Sequence, residues 1–288
     1  MAEISVALAA SHTPGLTGWL DKAPEDDQRT VLQAYAAIHD AVVESETDVL
    51  LIIGNDHVAN ARVSEYADFT FGLAERHEGP DEWFKPWLRV EDYVLPGAPD
   101  VAEILHRAAE ATPTRVRAVR ENLRFDDNLS VPVTLADLAS TGVAVVPVLQ
   151  NCTVPPVPDQ QACYSFGQTL GDAIRTQLPA DLRVGLLGSG GLSHEPGGPR
   201  YLEIDEKFDR WFLDLLVEGD HQRVLTEATF ERMEEAGSGG TAELLSWLVV
   251  MGAIGERPCT NLGYAAVDQW RCGVGAVQWQ LDPARAGQ

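Results

Sequence analysis

The sequence predicts an α/β fold in a single domain, with a central mixed β-sheet that carries helices on both faces. Strand-like and helix-like segments alternate along nearly the whole chain of 288 residues, which is the pattern of α/β proteins. Short runs such as DVLLIIG at 48–54 and GVAVVPVL at 142–149 are rich in Val, Ile and Leu, as is typical of strands covered on both faces. Because no linker interrupts this rhythm, we expect one domain over residues 1–288.

The first half is interpreted from apolar spacing and from Gly-Pro punctuation. Apolar residues at helical spacing indicate helices, and short continuous apolar runs indicate strands. Gly79-Pro80 and Pro96-Gly97 punctuate a segment that we expect to form loops. The predictions in order are a strand at 4–10, a helix at 26–46, a strand at 48–54, loops at 61–98, helices at 100–111 and 129–138, and a strand at 142–149.

The second half repeats the same rhythm. Its strand LRVGLLG is again a buried type, and a helix rich in large apolar residues follows it. A Gly-rich turn leads into a last, strongly apolar helix. The predictions in order are a helix at 160–177, a strand at 182–188, helices at 203–218 and 240–252, and β-like stretches near 262–267 and 274–280.

The charge balance argues against two classes of partner. The 44 acidic residues outnumber the 21 basic residues, which gives a net charge of −23. Such a surface repels polyanions, so we expect neither nucleic acid nor an anionic membrane as a partner. There is no apolar run of about 18 residues that would span a bilayer. Residues 1–10 lack a basic region before their apolar stretch, so we interpret them as the first strand and not as a signal peptide.

The cysteines indicate a reducing compartment. None of the four forms a C-x-x-C pair, so a zinc ribbon or a thioredoxin-like motif is not supported. A long chain with few scattered cysteines is typical of cytoplasmic proteins. These residues are Cys152, Cys163, Cys259 and Cys272.

Three histidines follow predicted buried strands directly. His12 comes after the strand at 4–10, His57 after 48–54 and His194 after 182–188. Because the ligand crevice of an open α/β sheet lies outside the carboxyl ends of its strands, these side chains are expected to converge. The remaining histidines lie in predicted helices or polar loops and are expected to face solvent; they are His39, His77, His106 and His221.

Two histidines and one carboxylate would form the facial triad of non-haem Fe(II) oxygenases. Glu243 is a candidate third ligand because it lies on an otherwise apolar helix, where an unpaired charge would be costly to bury. Solvent exposure on an amphipathic face is an equal alternative for Glu243 from the residues alone. Zinc accepts the same ligand types and activates water, so a zinc-dependent hydrolase also remains open.

The glycines before His194 have two interpretations. Gly188-Ser189-Gly190-Gly191 resembles a phosphate-cradling loop in composition. It lacks the Gly-Lys-Ser/Thr ending of a P-loop and the spacing of a dinucleotide fingerprint. We therefore favour a flexible turn that brings His194 close to a substrate.

Five segments together resemble the class III extradiol dioxygenases, the superfamily of the protocatechuate 4,5-dioxygenase beta subunit. They follow one another in the family's order and are SHTP at 11–14, GNDH at 54–57, GLAERHEGPDEW at 72–83, LLGSGGLSHEP at 186–196 and GSGGTAELLSWLVVMGAIG at 237–255. The resemblance implies Fe(II) held by His12, His57 and Glu243, with His194 as the acid–base catalyst. It also implies that O2 opens a catechol-type ring next to the diol to give a semialdehyde-type product.

One position departs from the family pattern. Relatives often carry a substrate-contacting histidine where Asp127 stands in FDDNLSVP at 125–132. A carboxylate there disfavours an anionic ring substituent nearby and favours an amine or an extra hydroxyl. We therefore expect Asp127 to act on the substrate.

The resemblance also suggests a binding region and an assembly. Tyr264 and Trp270 lie in a C-terminal segment that is similar to the family's substrate-lining region. Self-association is expected, and some relatives pair with a small helical subunit that this chain does not contain. A non-catalytic homologue is an alternative, but the presence of His12, His57, His194 and Glu243 argues against it.

Overall fold

Ten strands and eleven α-helices form the regular structure of the computed structural model, which describes residues 1–60 and 63–281. The strands are β1 (Glu3–Ala10), β2 (Val49–Asn55), β3 (Phe69–Gly72), β4 (Arg76–Gly79), β5 (Tyr93–Pro96), β6 (Val116–Val119), β7 (Ala144–Gln150), β8 (Arg183–Ser189), β9 (Cys259–Val267) and β10 (Cys272–Trp279).

The helices fill the connections between these strands. The α-helices are α1 (Gly15–Gly18), α2 (Glu25–Glu44), α3 (Lys85–Leu88), α4 (Pro99–Glu110), α5 (Asp127–Leu135), α6 (Leu138–Thr141), α7 (Gln160–Gln177), α8 (Glu206–Glu218), α9 (His221–Glu227), α10 (Phe230–Ala236) and α11 (Leu245–Ile254). Short 3₁₀ helices cover Leu20–Lys22, Val63–Glu65, Thr241–Leu244 and Asp268–Trp270.

Eight strands form one mixed sheet in the order β6-β3-β7-β2-β8-β1-β10-β9. The four central strands β7, β2, β8 and β1 run parallel to one another. Antiparallel pairing joins β3 to β7 on one side and β10 to β1 on the other. Because the central strands are parallel, their carboxyl ends lie along one edge, where a ligand crevice is expected.

Two apolar cores cover the two faces of this sheet. Successive residues of β2 alternate between them, because side chains along a strand point to opposite faces. Leu51 and Ile53 pack in the core that contains residues of α4, α7, α8 and α11. Leu50 and Ile52 pack in the core that contains residues of α2 and α5. The prediction of an α/β domain with a mixed sheet and helices on both faces is therefore confirmed.

Most element predictions agree with the structure to within a few residues. The helix at 160–177 is α7, and the strands at 48–54, 142–149 and 182–188 are β2, β7 and β8. The helix predicted at 203–218 begins only at Glu206, and the one predicted at 240–252 is a 3₁₀ turn followed by α11.

The prediction of loops over 61–98 is wrong for most of that segment. It contains β3, β4, α3 and β5, and its residues 61 and 62 lie outside the described part of the chain. Each of these elements has only four residues, and Arg76 and Glu78 of β4 are exposed. Such short and partly polar elements carry too few apolar positions for a periodic signal.

No helix within the described residues is both long enough and apolar enough to cross a bilayer.

Candidate metal centre and substrate cavity

The sheet brings His12, His57 and His194 together at the carboxyl ends of neighbouring strands. In the register of the sheet, Ala10 of β1 pairs with Ser189 of β8, and Ile53 of β2 pairs with Gly188. The ring centroids of His12 and His57 lie 5.4 Å apart. The convergence predicted from three strand ends is therefore present in the structure.

Glu243 lies between the three imidazoles. Its carboxylate is buried, and its Oε2 lies 3.3 Å from Nε2 of His12. Its Oε1 lies 3.2 Å from Nε2 of His57 and 3.3 Å from Nε2 of His194. The alternative of a solvent-facing Glu243 is wrong, because the 3₁₀ turn Thr241–Leu244 directs this side chain into the protein.

The glycine-rich turn after β8 allows Glu243 to approach so closely. A Cβ on Gly190 would lie 2.2 Å from the carbonyl oxygen of Glu243, so a larger residue would push the two turns apart. The amide of Gly191 donates to Oε2 of Glu243 at 2.9 Å, and the amide of Gly190 donates to the carbonyl of Ala10. Because both amides already donate hydrogen bonds within the protein, they are not free to bind a phosphate, which disfavours the phosphate-loop interpretation.

A hydrogen bond at Nδ1, the ring nitrogen that faces away from Glu243, determines the tautomer of His12. The hydroxyl of Ser189 donates to the carbonyl of Asn128 at 2.6 Å, so its oxygen accepts from Nδ1–H of His12 at 2.9 Å. The lone pair of His12 is therefore on Nε2, which is buried and has no hydrogen-bond partner. A metal-ligating histidine is commonly held by its other ring nitrogen in this way.

The imidazoles of His57 and His194 are likewise held by a hydrogen bond at Nδ1. Nδ1 of His57 donates to Oδ2 of Asp126 at 3.0 Å, and Nδ1 of His194 donates to the carbonyl of Leu192 at 2.8 Å. In their neutral forms both rings direct the lone pair of Nε2 toward Glu243. Lone pairs and carboxylate oxygens about 3 Å apart repel one another unless a cation or shared protons lie between them. The donor set therefore fits a divalent metal ion.

Asp127 also lies close to this group. One ligand atom from each of His12, His57 and Asp127 falls within 4.8 Å of the others. Oδ1 of Asp127, however, lies 3.4 Å from Nδ1 of His57, the nitrogen that already donates to Asp126. Glu243 contacts Nε2 of His12 and His57, so it faces the open lone pairs while Asp127 flanks one ring.

The charges of this cluster depend on one another. Burial acts to raise the pKa of Glu243, but His194 and His12, when their rings are protonated, outweigh burial and hold this pKa well below its usual range. Burial acts to lower the pKa of His57, whereas the carboxylate of Asp126 raises that pKa well above its usual range. Glu243 is therefore ionised, the form that binds a cation.

The remaining histidines do not contribute to this centre. The expectation that they face solvent is wrong for His77, His106 and His221, which are buried. His77 and His106 pack edge-on against phenylalanine rings, and Nδ1 of His221 lies 3.1 Å from the hydroxyl of Tyr164. Burial lowers the pKa of His77 and of His221 to about 4, so both are neutral structural residues.

A cavity of about 470 Å³ opens onto the metal centre. Its volume lies in the usual range for small-molecule sites. The lining includes the five predicted polar residues and a group of aromatic side chains. The predicted residues are His12, His57, Asp127, His194 and Glu243, and the aromatic residues are Trp19, Phe84, Trp87, Tyr201 and Trp270.

The two predicted substrate-lining aromatics have different positions. Trp270 is buried and lies in the cavity wall. Tyr264, on β9, is not among the described residues that line this cavity, and its hydroxyl instead donates to Oδ2 of Asp209 at 2.9 Å. The expectation of a substrate contact thus agrees with the position of Trp270 and not with that of Tyr264.

Several residues at the site were not anticipated from the sequence. Asp126, Arg271 and Cys272 line the cavity, and Asp209 binds the loop that carries His194. Asp126 stands next to Asp127, so that pair of acids was the available signal. Asp209 lies among the charges of an amphipathic helix, where nothing distinguishes it from solvated acids.

The family model for the catalytic LigB subunit of aromatic ring-opening dioxygenases matches residues 6–275. This match covers most of the chain and includes every residue of the centre described above. The chain belongs to this family, and it is an extradiol aromatic ring-cleaving dioxygenase, an oxidoreductase.

Curated relatives agree with the family. A gallate dioxygenase from Pseudomonas putida is 38% identical over 112 residues, which cover 39% of this chain and 32% of that protein. The chain thus matches about a third of that protein. A 2,3-dihydroxyphenylpropionate/2,3-dihydroxicinnamic acid 1,2-dioxygenase from Paraburkholderia phymatum is 29% identical over 93% of this chain and 94% of its own length. The enzyme with the same name from Burkholderia vietnamiensis is 26% identical over 93% of this chain and 94% of that protein.

A solved structure shares the fold. The crystal structure of uncharacterized protein JW3007 from Escherichia coli K12 superposes with a TM-score of 0.56 at 14% identity, covering 95% of this chain and 98% of that chain.

Proposed function

We propose that this chain is an Fe(II)-dependent extradiol dioxygenase that acts on a catechol-type ring and cleaves it next to the diol. The observation that carries the proposal is the arrangement of three imidazole Nε2 atoms around one buried carboxylate in the wall of an aromatic-lined cavity. Two imidazoles and a carboxylate are the ligand set of non-haem Fe(II) oxygenases.

His12, His57 and Glu243 would hold the metal. Ser189 and Asp126 keep the two imidazoles in the tautomer that presents Nε2. The three ligands would leave coordination positions open, where Fe(II) supplies binding of a catecholate and activation of O2. The aromatic wall excludes water around the ring and orients it.

His194 would transfer protons at the substrate. Its Nε2 faces the cavity beside Glu243, and its Nδ1–H is committed to the carbonyl of Leu192. The ring can therefore accept or donate a proton only through Nε2. This geometry suits general acid–base catalysis at a hydroxyl oxygen of the bound diol.

Asp127 would select the substituent near His57. It is mostly buried and lines the cavity with Asp126 beside it. Two carboxylates on this wall disfavour an anionic group by repulsion and favour a hydroxyl or an amine that can donate to them. We expect Asp127→Asn to reduce turnover of amino- or hydroxy-substituted catechols more than turnover of plain catechol, and equal effects would contradict this role.

Oxygen consumption by purified chain loaded anaerobically with Fe(II) tests the proposed function. The panel comprises catechols, aminophenols and trihydroxybenzenes. Uptake is expected to require both Fe(II) and a ring substrate, and to vanish in His12→Ala. His39→Gln is the matched control, because His39 lies outside the cavity and bonds to the carbonyl of Ala136.

The same experiment separates the alternatives. Tightly bound zinc with hydrolysis and no oxygen uptake would replace this proposal by the metal-dependent hydrolase. Iron binding without uptake, repaired by adding a small partner subunit, would identify a two-component enzyme.

We also propose a cytoplasmic, self-associating protein. All four cysteines are buried and free, as suits a reducing compartment. Sedimentation of the purified chain tests self-association against the mass of 31.3 kDa expected for a monomer.

A further inference from the structure

One basic side chain lies in the wall of the substrate cavity. Of the lysines and arginines in residues 1–60 and 63–281, Arg271 alone lines this cavity. Its surroundings are unusual in a chain with a net charge of −23, where acids are available for most basic residues. No carboxylate of the described residues forms an ion pair with Arg271, whereas many other arginines have such a partner.

Two aromatic rings hold this guanidinium in place. Its carbon Cζ lies 5.2 Å from the ring centroid of Trp19 and 4.6 Å from that of Tyr201. One N–H group donates to the hydroxyl of Tyr201. Stacking on aromatic faces fixes the plane of a guanidinium while the other N–H donors stay available.

The backbone at Arg271 also has an uncommon conformation. Arg271 has a φ of 63°, a left-handed conformation that is uncommon for a residue with a side chain. It follows the 3₁₀ helix Asp268–Trp270 and stands between two other lining residues, Trp270 and Cys272. The indole of Trp19 donates to the carbonyl of Gln269 at 2.6 Å, which ties the stacking ring to this turn. Strain of this kind persists where the surrounding structure determines it, often at ligand sites.

Residues of both charges line the cavity. Asp126 and Asp127 lie beside His57, whereas Arg271 lies in the chain next to Cys272, outside that acidic group. A ring that places its diol at the metal centre can direct a negative substituent to the guanidinium and away from the two aspartates. A planar guanidinium binds a carboxylate through two parallel hydrogen bonds, which gives orientation as well as affinity.

We propose that Arg271, clamped by Trp19 and Tyr201, is a specificity subsite for a carboxylate carried by the ring substrate. The inference rests on the proposed function and narrows its substrate class to carboxylated catechols. Arg271 selects among substrates and takes no part in the proton transfers.

Removing the charge from the ligand and, separately, from the residue tests this subsite. The substrates are protocatechuate and its uncharged methyl ester, compared in wild type, Arg271→Gln and Arg271→Lys. In Arg271→Gln we expect kcat/KM for protocatechuate to fall about 10- to 100-fold, mainly through KM, with the ester changed less than about 3-fold. Arg271→Lys is expected to recover part of the loss, because a lysine keeps the charge without the planar fork.

A surface arginine provides the matched control. Arg223→Gln removes a cation that pairs with Glu218 and Glu227 away from the cavity, so it should leave both substrates unaffected. Equal losses for acid and ester in Arg271→Gln, or no loss for either, would overturn the subsite.

Anaerobic equilibrium binding separates this inference from the proposed function. Titration calorimetry of the same two compounds measures the subsite even if the chain turns over neither. A selective loss of protocatechuate affinity in Arg271→Gln without any oxygen uptake would uphold the subsite and reject the dioxygenase. Turnover, together with identical affinities of wild type and Arg271→Gln for both compounds, would uphold the dioxygenase and reject the subsite.

Discussion

Two buried carboxylates, Glu243 and Asp209, have different surroundings and therefore different roles. Glu243 is surrounded by Nε2 atoms of three histidines and receives one amide, from Gly191. Asp209 receives only ordinary donors: the amide and hydroxyl of Ser193 and the hydroxyl of Tyr264, all at 2.8–2.9 Å.

The difference lies in what the partners can offer. Hydroxyls and amides bring their own protons, so the donors around Asp209 are satisfied without any further group. Neutral imidazoles held at Nδ1 bring lone pairs to Glu243, so that contact needs a metal ion or shared protons between the atoms. Burial accordingly raises the pKa of Asp209 to about 6, whereas the pKa of Glu243 is held well below its usual range by His194 and His12 against the effect of burial. We infer that Asp209 positions the segment before His194, while Glu243 binds metal.

The largest expected effect follows from replacing Glu243. In Glu243→Gln we expect bound iron to be lost and oxygen uptake to fall at least about 1,000-fold, because one of three metal ligands is removed. Iron content is measured by elemental analysis beside activity. Glu227→Gln is the control, because Glu227 pairs with Arg223 and does not line the cavity. Full iron content in Glu243→Gln together with its loss in Asp127→Asn would assign the third ligand to Asp127 instead.

Replacing Asp209 should have a smaller effect of a different kind. Asp209→Ala leaves the two buried donors of Ser193 and the half-buried hydroxyl of Tyr264 without an acceptor, so we expect a loss of about 2–4 kcal/mol in unfolding free energy. Because Ser193 then holds His194 less firmly, kcat should fall about 10-fold while iron content stays that of wild type. Denaturant unfolding and metal analysis measure the two effects. Loss of iron in Asp209→Ala would erase the proposed distinction between the two acids.

The pH dependence of stability isolates Asp209 further. Its folded pKa of about 6 lies above that of an unfolded aspartate, so the unfolded chain releases this proton at lower pH. Relative to Asp209→Asn, wild type should therefore lose about 3 kcal/mol of stability as pH rises from about 4 to above 6, and nothing further beyond that. Unfolding free energies of both proteins across this range provide the difference. A difference that does not change with pH would contradict the raised pKa.

The smallest effect is expected for Tyr264. Tyr264→Phe removes one hydrogen bond to Asp209 and should cost about 0.5–1.5 kcal/mol. Since Tyr264 does not line the cavity, KM should be unchanged for every ring substrate. A selective rise in KM would instead restore the substrate contact expected from the sequence.

The sequence predicts this molecule well where local patterns are long and apolar. The strands β2, β7 and β8 were identified because both of their faces are buried and almost every residue is apolar. The two-stranded sheet of β4 and β5 was missed because each of its strands has four residues and β4 alternates exposed and buried side chains.

The same contrast holds within the site. His12, His57 and His194 were found because each follows such a strand, and Glu243 because its neighbours are apolar. Asp209 was missed because its partner Tyr264 lies more than 50 residues away in the chain. Arg271 was missed because its role depends on the rings of Trp19 and Tyr201, which are also distant in sequence. Those contacts arise from tertiary packing, which no local pattern encodes.

The position of β1 in the sheet has a consequence for synthesis. This strand precedes the other nine in sequence and lies between β8 and β10, and the hydroxyl of Ser11 accepts from the amide of Gly275, 264 residues later. Contacts between residues so far apart in sequence form late in folding, because closing the long intervening loop costs entropy before the contacts can stabilise the chain. A nascent chain therefore carries His12 and His57 long before Glu243 exists, and the metal centre can be completed only after translation has passed the 3₁₀ turn Thr241–Leu244. Metal capture by this protein would report that the chain has folded at least as far as Glu243.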